Sequence, residues 1–165
     1  MGPIRAPNLL HLDLSQNEIK KLENFDGHAR LEVLDLSSNT IVDTTNISKM
    51  PNLKELFLGF NRIKVMNGFD GLDSLKRLHL KSNMLTGWEE AFPALEALEY
   101  LNLRSNNILK IEEIEKLNAL PKLRKFVCSF TPFVEKNPTN YIFQIMVKLP
   151  NLTMINKTTV ILKFD

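Results

Sequence analysis

The sequence predicts an α/β fold of one kind: a right-handed solenoid with a curved parallel sheet on its concave side, turns and short helices on its convex side, and a helical cap at its C-terminal end. Three observations predict it. An eleven-residue segment recurs as "LLHLDLSQNEI" from Leu9, "LEVLDLSSNTI" from Leu31, "LKELFLGFNRI" from Leu53, "LKRLHLKSNML" from Leu75 and "LEYLNLRSNNI" from Leu98, with a looser sixth copy, "LRKFVCSFTPF", from Leu123. Inside each copy apolar residues alternate with others, as they do along a strand with one buried face. The copies start 22 residues apart for three intervals, then 23 and 25, a period at which stacked repeats are built.

Each element follows in order from that pattern. In the x-L-x-L-x centre of a copy the leucines face inward, and stacking the coils merges them into one core that no single coil could build. The consensus L-x-x-L-x-L-x-x-N-x-[IL] is the leucine-rich-repeat signature. The asparagines Asn17, Asn39, Asn61, Asn83 and Asn106 fall just past the strands, where their amides are expected to bond turn backbone that would otherwise be buried unpaired.

The return segments carry apolar residues about every third position: Ile19, Leu22, Phe25; Ile63, Met66, Phe69, Leu72; Leu85, Trp88, Phe92, Leu95. That rhythm suits tight turns or extended chain on the convex side, with Trp88 and the methionines filling core. The longer fifth coil has room for a helix from about Glu112 to Leu120, stopped by Pro121. After Thr131-Pro132, a helix starting at Asn137-Pro138 would place Tyr141, Ile145, Met146 and Leu149 across the last coil, so 137–157 is read as the cap of a single domain spanning 1–165. At the other end "RAPNLLHL" looks like the close of a coil, and the expectation is a shortened chain or an edge strand from Leu9 to Leu14 that a partner covers.

Composition narrows the function. With 165 residues, 44% hydrophobic and 24% charged, the chain has the balance of a soluble domain, and its +2 formal charge points to neither nucleic acid nor an anionic membrane. The first residues lack a secretory pattern and no stretch approaches the roughly 20 apolar residues of a membrane span, so a cytoplasmic location is expected. The single cysteine, Cys128, can form no internal disulfide and holds an inward position, as a small core residue rather than a nucleophile. Three glycosylation sequons, at Asn46, Asn151 and Asn156, are chance matches in a chain that is not secreted. His28 replaces the Met50 or Leu72 of other returns and is expected to be poorly buried. No phosphate loop, metal motif or nucleophile elbow appears, so no cofactor, metal or catalytic residue is assigned and the chain is read as a binding protein rather than an enzyme.

The residues between the leucines form the concave face in three columns. One runs His11, Val33, Glu55, Arg77, Tyr100, Lys125; the central one Asp13, Asp35, Phe57, His79, Asn102, Val127; the third Ser15, Ser37, Gly59, Lys81, Arg104, Ser129. Acidic residues gather in the first three coils and basic ones in the last three. Phe57 stands where the sign changes, with Phe60 at the rim beside it and Tyr100 two coils away. Rings among charges are the composition of a protein-binding hot spot. The candidate partner-binding residues are therefore Phe57, Phe60, Arg77, His79, Lys81, Tyr100, Arg104, Glu55 and Asp35. Phe60 and Phe130 have a plainer role open to them, folding back over the strand edges as packing. Single-stranded nucleic acid is the lesser use of Arg77, His79, Lys81, Tyr100 and Arg104, because the carboxylates on the same face would repel phosphates.

The 22-residue spacing, the N-x-I-x-x-[IL] returns and the closing "NP…Y…LPNL" resemble the cytosolic leucine-rich repeats shared by the type-one phosphatase regulatory subunit, the spliceosomal A-prime protein and several axonemal proteins. Within that group "LKRLHLKSN", "YLNLRSN" and "EIEKLNALPKLRKFV" are most similar to the radial-spoke leucine-rich-repeat proteins of cilia, over roughly Leu53 to Lys157. The resemblance implies a rigid adaptor of the ciliary or flagellar axoneme, or else a subunit of a phosphatase or splicing assembly. The chain departs from the family at "SFTPF", at Tyr141-Ile142 and at "KTTVILKFD".

Overall fold

The structure, a computed structural model, describes residues 6–23 and 28–160. One three-residue strand recurs in each coil: β1 His11–Asp13, β2 Val33–Asp35, β3 Glu55–Phe57, β4 Arg77–His79, β5 Tyr100–Asn102 and β6 Lys125–Val127. They pair in chain order, each parallel to the next, and the register sets Leu12, Leu34, Leu56, Leu78, Leu101 and Phe126 side by side. Strands this short persist because every coil donates to the following one, as Leu36 N does to Phe57 O and Leu58 N to His79 O, both at 2.8 Å.

The inward leucines form one continuous core, with Leu34, Leu36, Leu56, Leu58, Leu78, Leu80, Leu101 and Leu103 all at 0% exposure. Each such side chain contributes about 1.5–3 kcal/mol relative to leaving it in water. The first coil differs: Leu9, Leu12, Leu14 and Ile19 are only partly buried. Among the described residues β1 has a neighbour on one side alone, so identical leucines bury less there.

The asparagines tie adjacent coils. Asn61 Nδ2 donates to Leu36 O at 3.0 Å and Leu58 O at 3.1 Å, while its Oδ1 accepts from Ile41 N at 2.9 Å. Asn39, Asn83 and Asn106 repeat that arrangement. In the sixth coil Thr131 Oγ1 donates to Cys128 O at 2.8 Å in place of the missing amide.

On the convex side the second coil has a 3-10 turn at Thr45–Lys49, against which Gly68 packs with φ 76; an added Cβ would lie 2.3 Å from Thr45 O. Trp88 meets Phe92 edge to face and donates Nε1–H to Glu113 O at 2.7 Å. Phe25, expected in this apolar rhythm, lies outside the described residues. His28, expected to be poorly buried, is 1% exposed and occupies the same fully enclosed place as Met50 and Leu72.

The helix expected from about Glu112 to Leu120 is two pieces: α1, Ile111–Glu115, then a 3-10 turn, Lys116–Ala119. Pro121 disfavours helical backbone at the residue before it, and Leu120 is extended with ψ 99. A short helix absent from the sequence reading, α2 at Pro132–Lys136, starts with Pro132 in its first turn. Asn137 closes α2 by donating Nδ2 to Phe133 O at 2.8 Å, so the cap helix α3 runs only from Tyr141 to Lys148. Ile145 and Leu149 are buried beneath α3, and Lys148 reaches Glu115 of α1 at 3.0 Å. The chain then adds β7, Met154–Ile155, parallel to β6, and turns back as β8, Thr158–Thr159, antiparallel to β7. The cap is thus a helix plus a hairpin.

Candidate functional site

The central column of the concave side runs in strict register, so its six side chains stand one per coil on nearly identical backbone. What they do differs. Asp13 Oδ1 accepts from Ser15 N and Asp35 Oδ1 from Ser37 N, both at 2.8 Å, and Asn102 Oδ1 accepts from Arg104 N at 3.0 Å. Each oxygen satisfies an amide two residues on, which is the local bond short polar side chains favour. In the sixth coil Val127 cannot do this, and Asn156 Oδ1 takes over, accepting from Cys128 N at 2.9 Å and Ser129 N at 3.0 Å.

The third and fourth coils have no such bond. Phe57 and His79 occupy the capping positions, and among the described residues no side chain accepts from the amides of Gly59 or Lys81. Instead the rings stack, Phe57 on His79 with centroids 4.5 Å apart and 22° between planes, and His79 on Tyr100 at 4.8 Å and 33°. Arg77 lies over the Tyr100 ring at 5.1 Å, with its Nε 3.8 Å from Glu55. The result is a half-buried ladder of three rings across β3, β4 and β5, edged by one ion pair.

His79 is held neutral at ordinary pH. Burial depresses its pKa to about 4, aided by the Arg77 charge and opposed by Asp35. Its Nε2 is buried without a hydrogen-bond partner among the described residues. An imidazole in this state serves as a flat ring rather than as an acid or base.

A second set lies at the rim, one residue before each asparagine or, in the sixth coil, before Thr131. Gln16, Ser38, Phe60, Ser82, Ser105 and Phe130 all have φ near +57°, between 55° and 58°. Small polar residues take that conformation with less cost than a bulky ring, for which it is rare. Phe60 and Phe130 nevertheless hold it and stay 51% and 58% exposed, so neither folds back into the core. Each is covered by a cation from the adjacent coil: Lys81 Nζ is 4.6 Å from the Phe60 centroid and the Arg104 guanidinium 4.6 Å from that of Phe130. Arg104 Nε is also buried without a hydrogen-bond partner among the described residues.

The residues singled out in the sequence therefore fall into two groups. Glu55, Phe57, Arg77, His79 and Tyr100 come together in the ladder, with Asp35 beside it; Phe60 and Lys81 form one rim pair, and Arg104 leaves the ladder to join Phe130. Phe130, expected only as packing, holds before Thr131 the place that Phe60 holds before Asn61. The acidic half of the face is less available than its formal charge implies. Asp13 and Asp35 are engaged with backbone, and the Ser15 hydrogen bonds hold the Asp13 carboxyl below its ordinary range.

Elsewhere the chemistry is subdued. Burial pushes the Cys128 thiol up to about 12, so it is not a nucleophile at neutral pH. Among the described residues no three His, Cys, Asp or Glu are placed to hold a metal ion together, and no helix is long and apolar enough to cross a membrane.

Comparison with known proteins agrees with this architecture. Leucine-rich-repeat family models match residues 8–87 and 97–117. The chain is similar to leucine-rich repeat-containing protein 23 of Bos taurus, 33% identical over 89% of the chain, and of Xenopus tropicalis, 41% identical over 38%. Those matches span 30% and 17% of the two relatives' own lengths. Among solved structures, a leucine-rich-repeat protein of Leptospira interrogans superposes with a TM-score of 0.73 at 24% identity, covering 90% of this chain and 37% of its own. An internalin of Listeria monocytogenes gives 0.68 at 24% identity, covering 92% and 43%. These two share the fold. From the repeated motif, the parallel stack it builds and these matches, the chain belongs to the leucine-rich-repeat family.

Proposed function

We propose that the protein is a non-catalytic scaffold that docks another protein on its concave side, centred on Phe57, His79 and Tyr100, and that it serves in the cytoplasm as a structural adaptor of the ciliary axoneme. The observation that carries the docking reading is the departure of the third and fourth coils from the rest. Among the described residues only there are the backbone-capping residues replaced by rings, and departures from a local rule concentrate where function requires them. Phe60 and Phe130, held at an unfavourable φ and left exposed, support the same reading.

The axonemal assignment rests on resemblance: the motifs of the fourth and fifth coils are similar to the radial-spoke proteins. The test is recovery of bound proteins from ciliated and non-ciliated cells with wild-type and Phe57→Ala baits. Spoke components that bind the wild type and not the variant support the assignment. Phosphatase or splicing components lost in the same way would keep the docking surface and move the protein to another assembly.

A further inference from the structure

Beside the ring ladder, along the end at which the chain enters strands β3 to β6, runs an open groove of about 450 Å³. Its lining holds six cations and two carboxylates, Glu55 and Glu99. Three of the cations are occupied: Lys54 pairs with Glu32 at 2.8 Å, Arg77 with Glu55 at 3.8 Å, and Arg124 donates to the Pro121 and Leu123 carbonyls at 3.0 and 2.9 Å. The other three, Lys76, Lys122 and Lys125, have no anionic partner among the described residues. Tyr100 provides an aromatic wall between them.

We infer that this groove binds an acidic, extended segment of the docked protein. Like charges on neighbouring strands repel, and lysines crowded without partners gain from an incoming carboxylate. The cations do not converge on a point, as they would for a lone phosphate; they spread across three coil spacings of about 4.8 Å. That length, roughly 14 Å, equals about four residues of extended chain, room for two or three carboxylates. Glu55 and Glu99 interrupt the row and disfavour a continuous phosphate backbone. Sequence reading missed the groove because it followed the three columns of the concave face, whereas Lys54, Lys76, Glu99 and Arg124 form the column before them.

The inference rests on the concave side being a docking surface, and its test separates the two. Labelled ten-residue peptides bearing four consecutive glutamates, or glutamines in their place, are titrated against the full chain by fluorescence anisotropy at low and raised salt, beside a single-stranded oligonucleotide. The expected result is binding of the glutamate peptide alone, weakened by salt and reduced about tenfold or more by Lys76→Glu with Lys125→Glu, in a variant whose melting curve matches the wild type. Phe57 does not line the groove, and capture of the docked protein is measured separately, so a failed peptide test refutes the groove while the capture assay judges the docking surface. Equal binding of the glutamine peptide, an unchanged double variant, or tighter binding of the oligonucleotide through the same lysines would overturn the inference.

Discussion

The inward and outward faces of the same strands obey opposite rules. Leu34, Leu56, Leu78 and Leu101 stand in register and are equally buried at 0% exposure, each nearly a copy of the last. One residue further on, Asp35, Phe57, His79 and Asn102 stand in the same register but divide into backbone-capping oxygens and stacked rings. Repetition holds the stack together, because a core built from neighbours works only if every coil offers its neighbours the same surface. Variation is free to serve recognition, since the outward side chains carry little of the packing.

The largest effect should come from breaking the repeated face. Leu78→Ala is expected to cost about 2–5 kcal/mol in denaturant unfolding, whereas Leu12→Ala, in the half-open first coil, should cost less than half as much. Equal losses would show that burial by neighbouring coils is not what stabilises the spine. Next come the asparagines: Asn83→Ala strands the Ile63 amide and takes one of two amide donors from each of the Leu58 and Leu80 carbonyls, which keep Asn61 and Asn106, for about 1–3 kcal/mol.

A pH titration sharpens the contrast from the other side. The folded-state pKa of His79 is lowered from 6.5 to about 4, so the unfolded chain binds the extra proton between those values. The His79 contribution is complete above pH 6.5 and is lost as pH falls toward 4. Arg77 and Asp35 are the charges facing the ring. His79→Phe should keep the stack and flatten that part of the stability profile; an unchanged slope would refute the buried neutral imidazole. The smallest effect is expected at the rim. Phe60→Ser installs the residue found at Ser38 and Ser82 with the same φ, and should leave stability within about 0.5 kcal/mol or raise it slightly.

Much of this fold was legible because the leucines report their own orientation, and equal spacing fixes which residues meet across coils. Strand positions, the asparagine ladder and the columns all follow from that. The hairpin after Leu152 did not, since Met154-Ile155 lacks the repeated pattern and gains its strand only by lying against β6. Nor did α2, where Pro132 reads equally well as a turn. At the site, adjacency of Phe57 and His79 was visible, but the columns could not show that His79 bridges Phe57 to Tyr100, or that Arg104 turns to Phe130. Those contacts depend on side-chain torsions, which the spacing of residues along the chain does not fix. His28 shows the converse, a polar residue enclosed because its position in the repeat outweighs its chemistry.

The central claim is that the ring ladder is kept for binding and not for the fold. It is tested most directly by measuring, on Phe57→Ala alone, both the melting temperature and the capture of the concave-face partner. The account predicts a melt within a few degrees of wild type and loss of the partner by about tenfold or more. A variant that melts normally and retains its partner at the wild-type level would contradict it.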